Sequence, residues 1–241
     1  MSGGDPYLGY TMVQPAVKGI QSQKVIANAK HWVHNNQEEN RDKVSANIDE
    51  RTRFELYYEP FQGAIDAGVG SFMCSYNRVD DVYSCENSIT LGDLKGASMG
   101  FNGWVMSDWG ATHSLSIVQG LDQEMPSDDY FGADLTAAVN DGTIPVSAVD
   151  SATLRILTPM FQIGLFDDTN PNSLSNNVTS SEHSNLSRQL SAASHVLLKN
   201  DNNILPLSTE RPLKIAMFGL AAREPVCLFR HLPFACIPYI Y

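Results

Sequence analysis

Asp108 ends a short apolar run, WVMS, and is followed at once by Trp109 and Gly110. A rigid strand that stops at a carboxylate beside a large aromatic can present a nucleophile to a pocket built by the loops beyond it. The same Asp could instead cap a following helix. Two earlier apolar runs also end in reactive groups. One ends at Lys30-His31, an ammonium and an imidazole able to hydrogen-bond hydroxyls. The other, VGSFMCSY, ends at Tyr76, a phenol that could hydrogen-bond near a nucleophile. Singly, a surface cation, a satisfied core histidine and packing aromatics account for Lys30, His31, Tyr76 and Trp109. Three successive strand ends on one face favour a shared site, with Trp109 as a stacking platform.

The elements that must position these groups alternate. The spacing predicts a helix within 5–21, with Val13, Val17 and Ile20 on one face, then a strand over 24–30 running into a polar loop. Asp49 opens an amphipathic helix with Phe54, Tyr57, Tyr58, Phe61 and Ile65 at steps of three and four, ended by Gly68 and Gly70. A strand over 69–76, a helix over about 90–99 and a strand over 103–106 follow. Residues 120–126 read as a further short strand and loop, and helices are expected at 134–139 and 146–163. Pro145 suits the first turn of the last helix, and Pro159 should bend or interrupt its end. Strand and helix in alternation, each strand ending in a polar cluster, indicate βα units around a parallel sheet. About four units are visible, too few for a closed barrel of about 250 residues. The Asp-, Asn-, Ser- and Thr-rich stretch 167–184 reads as a linker. A helix at 186–198 and a buried strand at 213–218 would open a second domain, and the stretch from 224 onward has no period.

The formal net charge of −11 disfavours a phosphate-binding surface, so nucleic acid is not an expected partner. With 43% hydrophobic residues the chain can build a core. No run approaches the roughly 20 apolar residues that span a bilayer, and no secretory signal is visible at the N-terminus. The four cysteines form no CxxC pair, so no metal site is expected. Cys74 and Cys85 flank a turn-rich segment and could close a disulfide in an oxidising compartment, or remain two buried thiols. Asn177-Val178-Thr179 and Asn185-Leu186-Ser187 are glycosylation sequons.

Taken together, Ala29-Lys30-His31 with Asn36-Gln37-Glu38, Met73-Cys74-Ser75-Tyr76-Asn77, Gly103-Trp104-Val105-Met106-Ser107-Asp108-Trp109, and Gly120-Leu121-Asp122 with Glu124-Met125-Pro126 resemble glycoside hydrolase family 3, nearest its β-glucosidase branch. GDPYL near the N-terminus, Gly164-Leu165-Phe166 and VLLKN at 196–200 add to the resemblance, which covers about 4–219. It implies an α/β chain: the C-terminal part of a TIM-like (β/α) barrel at 1–166, a linker at 167–184, the start of an α/β sandwich domain at 185–220, and an unassigned tail at 221–241. It also implies a retaining hydrolase of terminal β-linked glucosides, secreted, needing no cofactor, with a small-molecule or oligosaccharide glucoside as substrate and no membrane partner.

By resemblance, Asp108 is the nucleophile, Lys30 and His31 bind sugar hydroxyls, Met73 and Tyr76 line the subsite, Trp109 packs on the sugar or leaving group, and Cys74 pairs with Cys85. Asp108 must stay ionised, and a nearby Lys30 would help. A retaining glycosidase needs a second carboxyl roughly 5 Å from the first as acid/base. In this branch that Glu belongs to the sandwich domain, beyond the matching residues, and Lys30-His31-Trp32-Val33-His34-Asn35-Asn36 does not supply the histidine route of the family's other branch. Glu38, Glu39 and Glu124 lie near the expected mouth, the first two in a polar loop and the third anchoring the loop around Pro126. A chain with only half of the catalytic pair could instead be a sugar-binding module. A Schiff-base aldolase using Lys30 would need that lysine desolvated.

Overall fold

Asp5 starts the first helix: its carboxylate accepts the N–H groups of Tyr7 and Leu8, and Pro6 sits where a helix lacks a donor's partner anyway. The computed structural model describes residues 4–167, 173, 175–208, 210 and 212–219. The chain divides into two units about residues 171 and 172.

In the first unit, α1 (Pro6–Gln21) precedes β1 (Asn28–Trp32). The strand lies later than the expected 24–30. The N–H groups of Ser22, Gln23 and Lys24 still bond back into α1, and Lys24 takes a left-handed φ of 58°. That turn ends at Lys24, and Val25, Ile26 and Ala27 carry the chain to the sheet before the strand begins. After β2 (Ser45–Ala46), Asp49 caps the next helix through the N–H of Thr52. This helix passes from α2 (Glu50–Thr52) through a π-helical segment, Arg53–Tyr58, into α3 (Glu59–Asp66). Tyr58, Phe61 and Ala64 are buried on it. β3 (Ser71–Cys74), the short antiparallel pair β4 (Arg78–Val79) and β5 (Val82–Tyr83), and α4 (Ser88–Lys95) follow. α4 begins earlier than 90 because Asn87 accepts the N–H groups of Ile89 and Thr90. Then come β6 (Trp104–Ser107), α5 (Ala133–Asn140) and α6 (Val146–Gln162). Pro159 does not interrupt α6, which continues to Gln162; the proline deprives the Arg155 carbonyl of its donor, but its own carbonyl still accepts the Ile163 N–H at 3.2 Å.

The sheet at the centre is parallel, in the order β1-β3-β6, with β1 at its edge. Its register aligns Lys30 with Met73 and Met73 with Met106, then Trp32 with Cys74 and Cys74 with Ser107. The three C-terminal ends therefore open at one level. Residues 120–126 form no strand; a single parallel bridge joins Gln123 to Met106. Main-chain bonds join the two segments, from the Asp122 N–H to the Val105 carbonyl and from the Ser107 N–H to the Gln123 carbonyl, both 2.9 Å, and the Asp122 carboxylate takes the Val105 N–H at 2.8 Å. One core runs beneath, with Trp32, Tyr58, Phe72, Leu91, Leu94, Val105 and Leu121 almost fully buried. Trp32 contacts Tyr58, Phe61 and Phe72 with ring centroids 4.6 to 5.8 Å apart. Such βα units form an α/β arrangement that fits part of a TIM-like barrel.

In the second unit, α7 (Ser181–Ser194) starts where Ser180 accepts the His183 N–H. The expected helix at 186–198 is thus shifted toward the N-terminus, into residues taken for the end of the linker. Beyond it, residues 195–200 are not helical. The strand expected at 213–218 is absent among the described residues, and Leu213, Ile215, Met217 and Phe218 are exposed. A strand needs a neighbour for its N–H and C=O groups, and none of the described residues supplies one. The aperiodic stretch from 224 lies outside the described residues. Among the described residues no helix is long and apolar enough to cross a membrane, and no cluster of His, Cys, Asp and Glu is placed to hold a metal.

Candidate active site

The level strand ends bring His31, Tyr76 and Asp108 into contact. Asp108 Oδ2 lies 3.1 Å from His31 Nε2. Its Oδ1 accepts from the Tyr76 hydroxyl at 3.0 Å and from the Trp109 N–H at 2.8 Å. The Asp108 N–H in turn donates to the Cys74 carbonyl at 3.1 Å, so β3 fixes the nucleophile candidate's own backbone. Asp108 caps no helix: only a turn through Ala111 follows it before the 3-10 segment Ser116–Val118.

The protonation states are consistent with a carboxylate held by neutral donors. Burial pushes the His31 pKa down, with the Lys30 and Arg41 charges adding and Asp108 opposing. The ring is therefore neutral near pH 7, and its Nε2–H can donate to Asp108. Burial and then the hydrogen bond to Asp108 push the Tyr76 phenol up, so it stays protonated and donates. Three donors occupy a group with about four acceptor positions, which leaves one free for an incoming atom.

Trp109 is 51% exposed, an open ring face beside the carboxylate. Met73 is buried on β3, at the level of Lys30. Lys30 itself makes no ion pair with any described residue, so it does not support Asp108 at contact distance as expected. It is exposed, the opposite of the desolvated setting a Schiff-base lysine requires. Cys74 and Cys85 form a disulfide, with Cα atoms 5.2 Å apart. This ties the end of β3 to the loop after β5. Ser75, Asn77 and Ser84 hydrogen-bond beside it to one another or to the Val33 carbonyl.

Two features were not read from the sequence. Arg41 stacks on the Tyr76 ring, its guanidinium 4.4 Å from the centroid, and pairs with Glu38 at 2.8 Å. The loop 34–50 had looked like solvent-exposed connection, and only the opposite charges three residues apart marked Glu38 and Arg41. The second feature is a buried ion cluster. Asp122 Oδ1 lies 2.7 Å from Arg155 Nη2, and its Oδ2 pairs with Lys95. Burial lowers the Lys95 pKa to about 8 against the pull of Asp122. Of the other carboxylates near the mouth, Glu124 accepts the N–H groups of Tyr130 and Phe131 and so holds the loop after Pro126.

Residues 2–158 match the family described as glycosyl hydrolase family 3, N-terminal domain. The chain belongs to glycosyl hydrolase family 3. It is 40% identical over 233 residues to a probable beta-glucosidase L of Emericella nidulans, covering 89% of this chain and 31% of that protein. It is 40% identical over 247 residues to a probable beta-glucosidase M of Neosartorya fischeri, covering 93% and 32%. Among solved structures, the beta-D-glucoside glucohydrolase of Trichoderma reesei superposes with a TM-score of 0.80 at 41% identity, over 86% of this chain and 31% of that one. DesR, a beta-glucosidase from Streptomyces venezuelae solved with D-glucose, gives 0.78 at 36% identity, over 85% and 28%. The chain thus spans about a third of the length of these relatives.

Proposed function

We propose that this chain carries the nucleophile half of a retaining β-glucosidase acting on terminal β-linked glucosides. The observation that carries the reading is the Asp108 carboxylate, oriented by His31, Tyr76 and the Trp109 N–H at the mouth of a parallel sheet. In this reading Asp108 attacks the anomeric carbon as the glycosidic C–O bond breaks and the aglycone leaves with a proton from the acid/base carboxyl; the covalent glycosyl-enzyme is then released by water that the same carboxyl deprotonates. Tyr76 and His31 keep the carboxylate aimed. Lys30 and His31 hold sugar hydroxyls, Met73 and Tyr76 line the subsite, and the open face of Trp109 stacks on the ring's C–H side. The solved relative with bound D-glucose supports glucose as the sugar.

The acid/base carboxyl is assigned outside the described residues: Glu38 is paired with Arg41, Glu124 holds two backbone N–H groups, and Glu39 lies exposed on the same loop as Glu38. In the same reading, 167–184 links the barrel part to the start of a sandwich domain at 185–220. The disulfide and the exposed sequon residues Asn177 and Asn185 suit a secreted protein.

A 2-deoxy-2-fluoro glucoside with a good leaving group tests the reading. The expected result is one sugar adduct, mapped by mass spectrometry to the peptide bearing Asp108. An adduct on another residue would sink the assignment. Those same engagements of Glu38 and Glu124 favour a second reading, a module that binds glucosides without cleaving them; saturable glucose binding with no adduct would select it.

A further inference from the structure

The loop leaving β1 closes over a cavity of about 80 Å³, lined by Lys30, His31, His34, Asn35, Asn36 and Tyr57 among others. His34 is only 6% exposed, yet neither of its ring nitrogens has a hydrogen-bond partner among the described residues. The Asn35 side-chain oxygen and nitrogen are buried and unpartnered as well. The ring of His34 is fixed by aromatic packing instead, edge-on to Tyr57 with centroids 4.7 Å apart and parallel to Tyr58 at 6.2 Å. Burial, with the Arg53 charge adding, lowers its pKa to about 4, so the imidazole is neutral and offers one donor and one acceptor.

Buried donors and acceptors left dry cost roughly 1–3 kcal/mol each, and native structures almost always satisfy them. One water requires roughly 10–15 Å³ of such space, and two to four polar partners. The cavity offers both. On its other side the same loop is already tied down: the Val33 carbonyl accepts from Asn77 Nδ2 at 3.0 Å and from Ser75 Oγ at 3.2 Å. On the His34–Asn35 side the buried side-chain polar atoms have no partner among the described residues.

We propose that this cavity is a permanent hydration site, in which a small cluster of ordered waters bridges His34 and Asn35 and positions the Lys30–His31 end of β1. The hydration stands by itself. The positioning role rests on the reading of Lys30 and His31 as sugar-binding groups. His34 and Asn35 touch no substrate in this scheme; they act through β1.

A crystal structure of the full chain that resolves solvent tests the first part. Water density within hydrogen-bond reach of His34 and Asn35 is expected, and a dry cavity overturns the proposal. Calorimetric titration with D-glucose tests the second. His34→Leu should weaken binding about tenfold, equivalent to about 1.4 kcal/mol. His34→Gln, which keeps a donor and an acceptor, should restore most of it. If His34→Leu does not fold, Asn35→Leu serves in its place. Wild-type affinity in the folded Leu variant overturns the positioning role. Failure of the unmodified chain to bind glucose would instead sink the sugar-site reading, and the positioning role with it, while the density still decides the hydration.

Discussion

Asp108 and Asp122 both lie against β6, Asp108 just past its C-terminal end and Asp122 beside Val105 near its start, and their surroundings are opposites. Asp108 meets neutral donors, a histidine, a tyrosine and an amide, and sits beside the half-open ring of Trp109. Asp122 has a fully buried side chain clamped between Lys95, Arg155 and the Val105 N–H. An aspartate packed against the sheet is therefore no marker of chemistry by itself. What separates the two is whether all acceptor positions are taken, and whether the partners are charges that would resist leaving. Asp122 joins β6 to α4 and α6, while Asp108 is held in aim with a position to spare.

The comparison can be broken most sharply at Asp108. Asp108→Asn should abolish fluoroglucoside labelling while changing unfolding free energy by about 1 kcal/mol or less, because functional groups are seldom placed for stability. Intact mass and urea denaturation read the two effects together; a large loss of stability would make Asp108 structural after all. Asp122→Ala should do the reverse, costing about 3–5 kcal/mol by leaving the largely buried Lys95 ammonium uncompensated and removing the partner of the half-buried Arg155. A urea midpoint close to wild type would show that the cluster is solvated.

The neutral character of His31 gives a smaller, signed effect. Its native pKa lies below the ordinary 6.5, so as pH falls the unfolded chain takes the proton first. The contribution is full above pH 6.5 and is lost as pH falls through the lower native value. His31→Gln should therefore flatten the fall of stability between pH 7 and more acid values. A steeper fall in the variant would mean that His31 is a cation paired to Asp108, the same arrangement as at Asp122. The smallest effect is expected at Glu124. Glu124→Ala should cost about 1–2 kcal/mol through the two N–H groups it frees, with the rate of label release unchanged. Slower release would give Glu124 the acid/base role.

The sequence made His31, Tyr76 and Asp108 legible because parallel register carries equivalent strand ends to one level, and short apolar runs mark where those ends are. The Asp122 cluster was not legible, since its partners lie 27 and 33 residues away and nothing local links them. The strand starts at Asn28 rather than 24 because the turn ending α1 runs to Lys24 and residues 25–27 follow it outside the strand, and the π-helical segment at Arg53–Tyr58 is invisible to a pattern of threes and fours. At 186–198 and 213–218 periodicity identified apolar residues correctly. It could not tell that Leu190, Leu198 and Phe218 stay uncovered among the described residues, because a pattern records which face wants burial and says nothing of whether a partner is there.

The outer position of β1 has a practical consequence for work with this chain. Among the described residues no strand pairs with the outer side of β1 (28–32), which makes it a template for another strand, and the apolar hollow beside it, lined by Met12, Val13 and Phe61, offers side chains a seat. The net charge of −11 opposes such association most strongly at low ionic strength. Dilute, low-salt preparations should therefore elute as a single small species from a sizing column. Concentrated, high-salt ones should shift to larger species and mask Lys30 and His31, so that sugar affinity falls with protein concentration while the far-ultraviolet circular dichroism stays the same.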